Sequence, residues 1–212
     1  MAAPRVERRL TAVLAADIVG YSRLMERDEP GTHDRVQVLR KQLIEPLIAE
    51  HRGHIVKLTG DGALCEFQSV VDAVACAMQI QQGMSERERD LPEEKRIRFR
   101  IGVNVGDIIV DPDGDIYGDG VNIAARLEAI AESGGICISR QAYDQVVGKV
   151  ALTFRQLGLK KLKNIAKPVE VFAVDVASAS PGAGKMKQEI SYVVRPTAFA
   201  SPGAKSAVDH RW

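Results

Sequence analysis

Residues 97–105 alternate without a break: Ile97, Phe99, Ile101, Val103 and Val105 fall on one side, and Arg98, Arg100, Gly102 and Asn104 on the other. Such strict alternation is the signature of a strand with one buried face, and it is the firmest local constraint in the chain. Residues 10–16, LTAVLAA, are instead apolar throughout, as in a central strand covered on both faces. A charged, helix-prone stretch follows, with Val36, Leu39, Leu43 and Leu47 in one apolar stripe and a kink expected at Pro46.

Residues 55–64, IVKLTGDGAL, read as a hairpin, because Asp-Gly between two apolar runs is a strong local turn signal. Val70, Val74, Ala77 and Met78 mark a second amphipathic helix that fades into the charged loop SERERDLPEEKR. Beyond the Asp/Gly-rich loop 111–119, Ile123, Leu127 and Ile130 form a helical face through about residue 132. Short strands are expected near 135–138, 152–157 and 169–174, with a small helix around 140–147. The order begins β-α-β-β-α-β. The expected fold class is therefore α+β, a ferredoxin-like βαββαβ core with appended strands and helices.

Residues 1–176 read as one domain. From 177 to 212 the character changes: ASPGA occurs at 179–183 and again at 200–204, amid Ser, Pro, Gly and Ala. Such a segment buries too little apolar surface to offset its ordering entropy, so a mostly disordered tail is expected, with ISYVVRP able to pair locally. GAGK within it is not a phosphate loop, since Ala179 replaces the required glycine and Met186 the Ser/Thr.

The 212 residues are 45% apolar and 27% charged, with a formal net charge of +1, the balance of a soluble globular protein. That charge gives no global field for nucleic acid or a membrane surface, and neither is expected as a partner. Cys65, Cys76 and Cys137 fall in apolar runs without paired spacing, which reads as buried thiols in a reducing compartment. His51 and His54 lack a second ligand pair for zinc. Basic residues before an apolar run faintly mimic a signal peptide in RVERRLTAVLAADIVGY, but Asp17 interrupts it and no stretch is long enough to span a bilayer. A cytoplasmic location is expected.

Asp17 ends an apolar strand and Asp61 sits in the hairpin turn. Each has an ordinary structural use, Asp61 in the turn and Asp17 as a helix cap near Tyr21. In a ferredoxin-like sheet, however, the first strand lies between its neighbours, so its end can approach the hairpin. Two carboxylates meeting there repel unless a cation sits between them, which suits a two-metal site on a polyphosphate. Asn122 and Arg126, four residues apart, share a helix face. They are either solvated polar residues or a positioning amide and a guanidinium aimed at phosphoryl charge. DPDGDIYGDG is a poor calcium loop, with Ile116 at the glycine position and Asn122 at the twelfth, and reads as an acidic turn.

VLAADIVGYSRLM, IVKLTGDGALCEF, FRIGVNVGDIIV and DIYGDGVNIAARLE occur in the order seen in class III nucleotidyl cyclases, and the resemblance covers roughly residues 8–175. The resemblance implies the α+β cyclase fold and formation of a cyclic nucleotide from a nucleoside triphosphate. It implies two Mg²⁺ or Mn²⁺ ions held by Asp17, Asp61 and the Ile18 carbonyl. It further implies purine reading by Lys57 and Asp115, transition-state contacts from Asn122 and Arg126, and a terminal-phosphate contact from Lys163. A lysine donor and a carboxylate acceptor complement adenine N1 and N6 and mispair with guanine, so ATP is the expected substrate. Family sites form between two catalytic domains, and this chain holds both residue sets once. An antiparallel homodimer is the expected active form.

Within the same fold, a regulatory cyclase-like domain would lack a metal aspartate or the arginine, and neither is missing. A diguanylate cyclase would carry Gly-Gly-Asp/Glu-Glu-Phe at the hairpin, where this chain has Gly60-Asp61-Gly62-Ala63.

Overall fold

In a computed structural model describing residues 7–176, the long strand β1 (Glu7–Ile18) is the axis on which the rest is built. It pairs antiparallel with β3 (Gly62–Phe67) on one side and β4 (Phe99–Val110) on the other. Before β3 come α1 (Tyr21–Arg27), α2 (Glu29–Leu39), a π-helical turn (Arg40–Ile44), α3 (Glu45–Glu50) and β2 (Gly53–Leu58). Between β3 and β4 runs α4 (Val70–Arg87). The rest comprises β5 (Ile116–Tyr117), α5 (Asp119–Ile130), β6 (Ile136–Ser139), α6 (Arg140–Val146), β7 (Phe154–Lys160) and β8 (Val169–Val174).

The sheet order is β2-β3-β1-β4-β6-β8-β7, with β5 a short partner of β4. Its first half is the βαββαβ arrangement expected from the element order, and β6, β8 and β7 extend it beyond β4. Residues 1–6 and 177–212, including both ASPGA copies and ISYVVRP, lie outside the described residues. No helix among those described is long and apolar enough to cross a membrane.

The sheet has two covered faces. Helices α1 to α4 and α6 pack on the first, where Leu14, Ile18, Phe67, Ile101 and Val103 meet Ile48 and Ile80. The second lies under α5, where Val13, Ala15 and Ile108 meet Ala124. The unbroken apolar run in β1 follows from this, since residues 12–15 are buried whichever face they point to.

The alternating strand differs from expectation. Its polar side is packed as well: Asn104 is only 1% exposed, and its amide donates to the Gly120 carbonyl at 3.0 Å. A Cβ on Gly102 would lie 2.2 Å from the Ala124 carbonyl oxygen and 2.3 Å from the Glu128 nitrogen, so α5 rests directly on the strand backbone. Small and polar residues signal solvent by hydropathy, yet here they make room for a helix.

The break expected at Pro46 takes the form of the π-helical turn just before it. Proline has no N–H for the Gln42 carbonyl, the acceptor four residues back, and Arg87 reaches that carbonyl at 3.4 Å instead. Helix α4 runs on through Ser85–Arg87, beyond the apolar stripe. Strand β7 begins two residues later than its apolar pattern suggests and ends three later, with a register shift between Gln156 and Gly158. All three cysteines are buried free thiols, and burial pushes Cys65 and Cys76 up to about 12 and Cys137 to about 11. At those values they stay protonated and unreactive.

Candidate active site

Asp17 stands opposite Gly62 in the β1–β3 ladder, and the Ile18 N–H donates to the Asp61 carbonyl at 3.0 Å. Thr59 and Gly62 exchange both backbone hydrogen bonds, at 3.0 and 3.3 Å, so the turn centres on Gly60-Asp61 rather than on Asp61-Gly62. Strand pairing thus brings two carboxylates together across the sheet. Asp17 does not cap α1, whose N-cap is Gly20 at φ 66° with no side-chain cap bond. Its carboxyl lies within hydrogen-bonding reach of Asp61. Burial raises its pKa, Arg100 lowers it, and the Asp61 charge raises it again.

Arg100 and Glu128 complete this cluster, and sequence reasoning missed both. Arg100 pairs with Asp17 in the β1–β4 register, and its Nη2 donates to Asp17 Oδ2 at 2.7 Å. Its Nε lies 3.1 Å from Glu128 Oε1 on α5, within ion-pair distance. That approach is too poorly aligned to count as a hydrogen bond, and both buried atoms are left without one. Burial pushes the Glu128 carboxyl up to about 7; Arg100 opposes the shift, while Asp17 and Asp61 add to it.

On the neighbouring strand, β2 carries a bulge between Ile55 and Lys57. In an unbroken register Lys57 would face Ala63 and the helix-covered core. The extra residue pairs it with Leu64 and turns it to the α5 side. There its ammonium donates to Asp115 Oδ2 at 2.8 Å, and the Tyr117 hydroxyl donates to the same oxygen at 2.9 Å. Hydrogen bonding to Asp115 raises the Lys57 pKa, and the bonds from Lys57 and then Tyr117 lower that of Asp115. Asp113 accepts from the Asp115 N–H at 3.2 Å, so its carboxylate braces the loop while Asp115 meets the lysine.

Helix α5 carries Asn122, which is exposed, and Arg126, whose Nε donates to the Lys163 carbonyl at 3.1 Å. The Lys163 backbone is therefore next to Arg126, while its side chain is exposed in the β7–β8 connection. Leu162 is buried with Leu127, Val169 and Val171, and this anchors the connection against α5. Asp17, Lys57, Arg100, Arg126 and Glu128 all belong to the sheet face under α5 or to α5 itself.

Among the described residues no three His, Cys, Asp or Glu side chains group as a metal site. The candidate donors are two carboxylates and the Ile18 carbonyl, hard oxygens of the kind Mg²⁺ and Mn²⁺ take. One Asp17 oxygen already holds the Arg100 guanidinium, so this carboxylate is matched to a cation in the chain as it stands.

Residues 6–175 match the family described as "Adenylate and Guanylate cyclase catalytic domain". The Rhizobium meliloti (strain 1021) protein named "Putative adenylate cyclase 3" is 50% identical over 172 residues, covering 81% of this chain and 29% of its own length. The chain thus spans under a third of that relative. Among solved structures, the adenylate/guanylate cyclase/hydrolase from Silicibacter pomeroyi is 50% identical, with a TM-score of 0.75, covering 80% of this chain and 98% of that one. The adenylyl cyclase CyaB from P. aeruginosa shares the fold at 24% identity, with a TM-score of 0.73, covering 84% and 98%. The chain belongs to the adenylate and guanylate cyclase catalytic domain family, the class III cyclases.

Proposed function

We propose that residues 1–176 form an adenylate cyclase domain that converts ATP to 3′,5′-cyclic AMP and pyrophosphate. The observation that carries this reading is the Lys57–Asp115 ion pair, 2.8 Å across, on the same sheet face as the facing carboxylates of Asp17 and Asp61. The pair presents an ammonium donor and a carboxylate acceptor side by side, the complement of adenine N1 and N6. The name of the Rhizobium meliloti relative agrees with ATP as substrate.

Asp17 and Asp61, with the Ile18 carbonyl, would hold two Mg²⁺ or Mn²⁺ ions. When bound, these supply charge for the triphosphate and acidify the ribose 3′-hydroxyl. That hydroxyl attacks the α-phosphorus in line, the bond to the bridging oxygen of pyrophosphate breaks, and the proton leaves to solvent or phosphate. Arg126 sets a guanidinium against the charge that grows on the phosphoryl oxygens, with its Nε already steadied by the Lys163 carbonyl. Asn122 orients the ribose, and the exposed Lys163 ammonium meets the terminal phosphates.

The metal aspartates of one chain serve the base and phosphoryl residues of another, so the active form is an antiparallel homodimer and the monomer is inert. Three buried thiols agree with a cytoplasmic location. Nucleic acid and membrane are not partners in this reading. The test measures cyclic AMP and cyclic GMP from equal ATP and GTP in one reaction with Mg²⁺ or Mn²⁺. Cyclic AMP should dominate, and equal turnover of GTP would sink the assignment of Lys57 and Asp115.

A further inference from the structure

Both acceptor positions of one carboxylate oxygen are taken at the rim of the site. Asp115 Oδ2 accepts from the Lys57 ammonium at 2.8 Å and from the Tyr117 hydroxyl at 2.9 Å. Oδ1 accepts only the Ile116 N–H, at 3.2 Å. Each oxygen of a carboxylate offers about two acceptor positions, so Oδ2 is full and Oδ1 has one open. The carboxylate is presented one way round, with side chains on one oxygen and an open acceptor on the other.

Strand β5 builds this arrangement. Ile116 pairs with Val110 and Tyr117 with Ile109, and the Ile116 side chain is buried with Val13, Ala15 and Ile108. Side chains alternate along an extended chain, so with Ile116 turned inward Asp115 and Tyr117 flank it on the other side. The phenol hydroxyl thereby reaches the carboxylate two residues before it. That bond raises the Tyr117 pKa above its usual value, so the hydroxyl stays a donor at any working pH.

Among the described residues, the only other side chain bonded to the Asp115 carboxylate is Lys57, which must also serve the base. Lysine carries a point charge with three rotatable donors on a flexible stem, and this one is 55% exposed. A carboxylate held by Lys57 alone would turn with it. Adenine presents an acceptor at N1 and a donor at N6, whereas guanine presents a donor at N1 and an acceptor at O6. An ammonium and a carboxylate able to trade places could pair with either base, and a carboxylate pinned in one place pairs with adenine.

We propose that Tyr117 is a specificity-determining positioning residue: its hydroxyl pins Asp115 Oδ2, so that Oδ1 is held out to the 6-amino group of the purine while Lys57 serves N1. This rests on the reading of Lys57 and Asp115 as the base-reading pair.

The test compares ATP with purine riboside 5′-triphosphate, which keeps N1 and lacks the 6-amino group, by pyrophosphate release from the full chain with Mg²⁺. Tyr117→Phe removes one oxygen and leaves the half-exposed ring in place. It should raise KM for ATP roughly tenfold, the scale of one hydrogen bond to a charged group, with the loss falling on KM rather than kcat. KM for the analogue should stay within about twofold of wild type, since it offers Asp115 no donor. An equal rise for both nucleotides would make Tyr117 a brace of the loop, and a rise for neither would make it a bystander; either overturns the proposal. In an Asp115→Ala chain, adding Tyr117→Phe should change KM for ATP by less than about twofold, because the hydroxyl acts through that carboxylate. A further tenfold rise there rejects the pinning. If Asp115→Ala keeps the wild-type preference for ATP over the analogue, the base-reading assignment itself falls and the role of Tyr117 falls with it. A preference that needs Asp115 but survives Tyr117→Phe sinks the role of Tyr117 alone.

Discussion

Two charged constellations lie on the same sheet face and live in different media. Lys57 and Asp115 meet at the rim, where the lysine side chain is 55% exposed. Asp17 and Arg100 are half-buried, 27% and 29% exposed, and Glu128 lies deeper at 13%. At the rim, water screens the pair, so the contact sets geometry and adds little to stability. Inside, each charge depends on its neighbours, and removing one leaves the others unpaired. The contrast suits a rim that reads a base and an interior that handles phosphate charge.

The largest loss is expected at the interior carboxylates. Asp61→Ala should lower cyclic AMP formation by about 10³-fold, the scale of losing a major electrostatic contact to the reacting charge. Arg126→Ala should be comparably inactive alone. An equimolar mixture of the two should regain about a quarter of wild-type activity, because half the dimers are mixed and each has one intact site. No recovery, with both variants folded and exchanging partners, would refute the shared site.

At the rim a smaller change is expected. Lys57→Ala should keep the melting temperature within a few degrees and lower the ATP-over-GTP preference by on the order of 10²-fold. The ratio of kcat/KM values for the two nucleotides measures it, and an unchanged ratio would move base reading elsewhere. The smallest effect is thermodynamic. The folded-state pKa of Glu128 is raised from the ordinary 4.5 to about 7, so between these values the native state holds more protons than the unfolded chain. Its contribution therefore falls as pH rises through that window. Denaturant melts of Glu128→Gln should show a shallower loss of stability from pH 4.5 to 7 than wild type. An identical slope would assign the titration to another group.

Much of this was legible from residue order. The unbroken run in β1, the hairpin around Asp61, and the stripe of Ile123 and Leu127 on α5 each follow from local period and turn chemistry. Arg100 and Glu128 were not legible. Arg100 looked like the solvent side of an alternating strand, because hydropathy cannot tell water from a helix resting on glycine. The bulge that turns Lys57 toward Asp115 was equally silent, since an extra residue shows only against a partner strand.

What the residue order dictates here is short-range: which segments extend, which coil, and where the chain must turn, since backbone preference and side-chain period act between near neighbours. Which carboxylate faces which cation was set by long-range pairing. Asp17 meets Arg100 across 83 positions of chain, and the register of β1 against β4, with α5 laid over it, places them together. Register and helix seating are collective choices of the packed core, so the electrostatics of the site existed only once that core had formed.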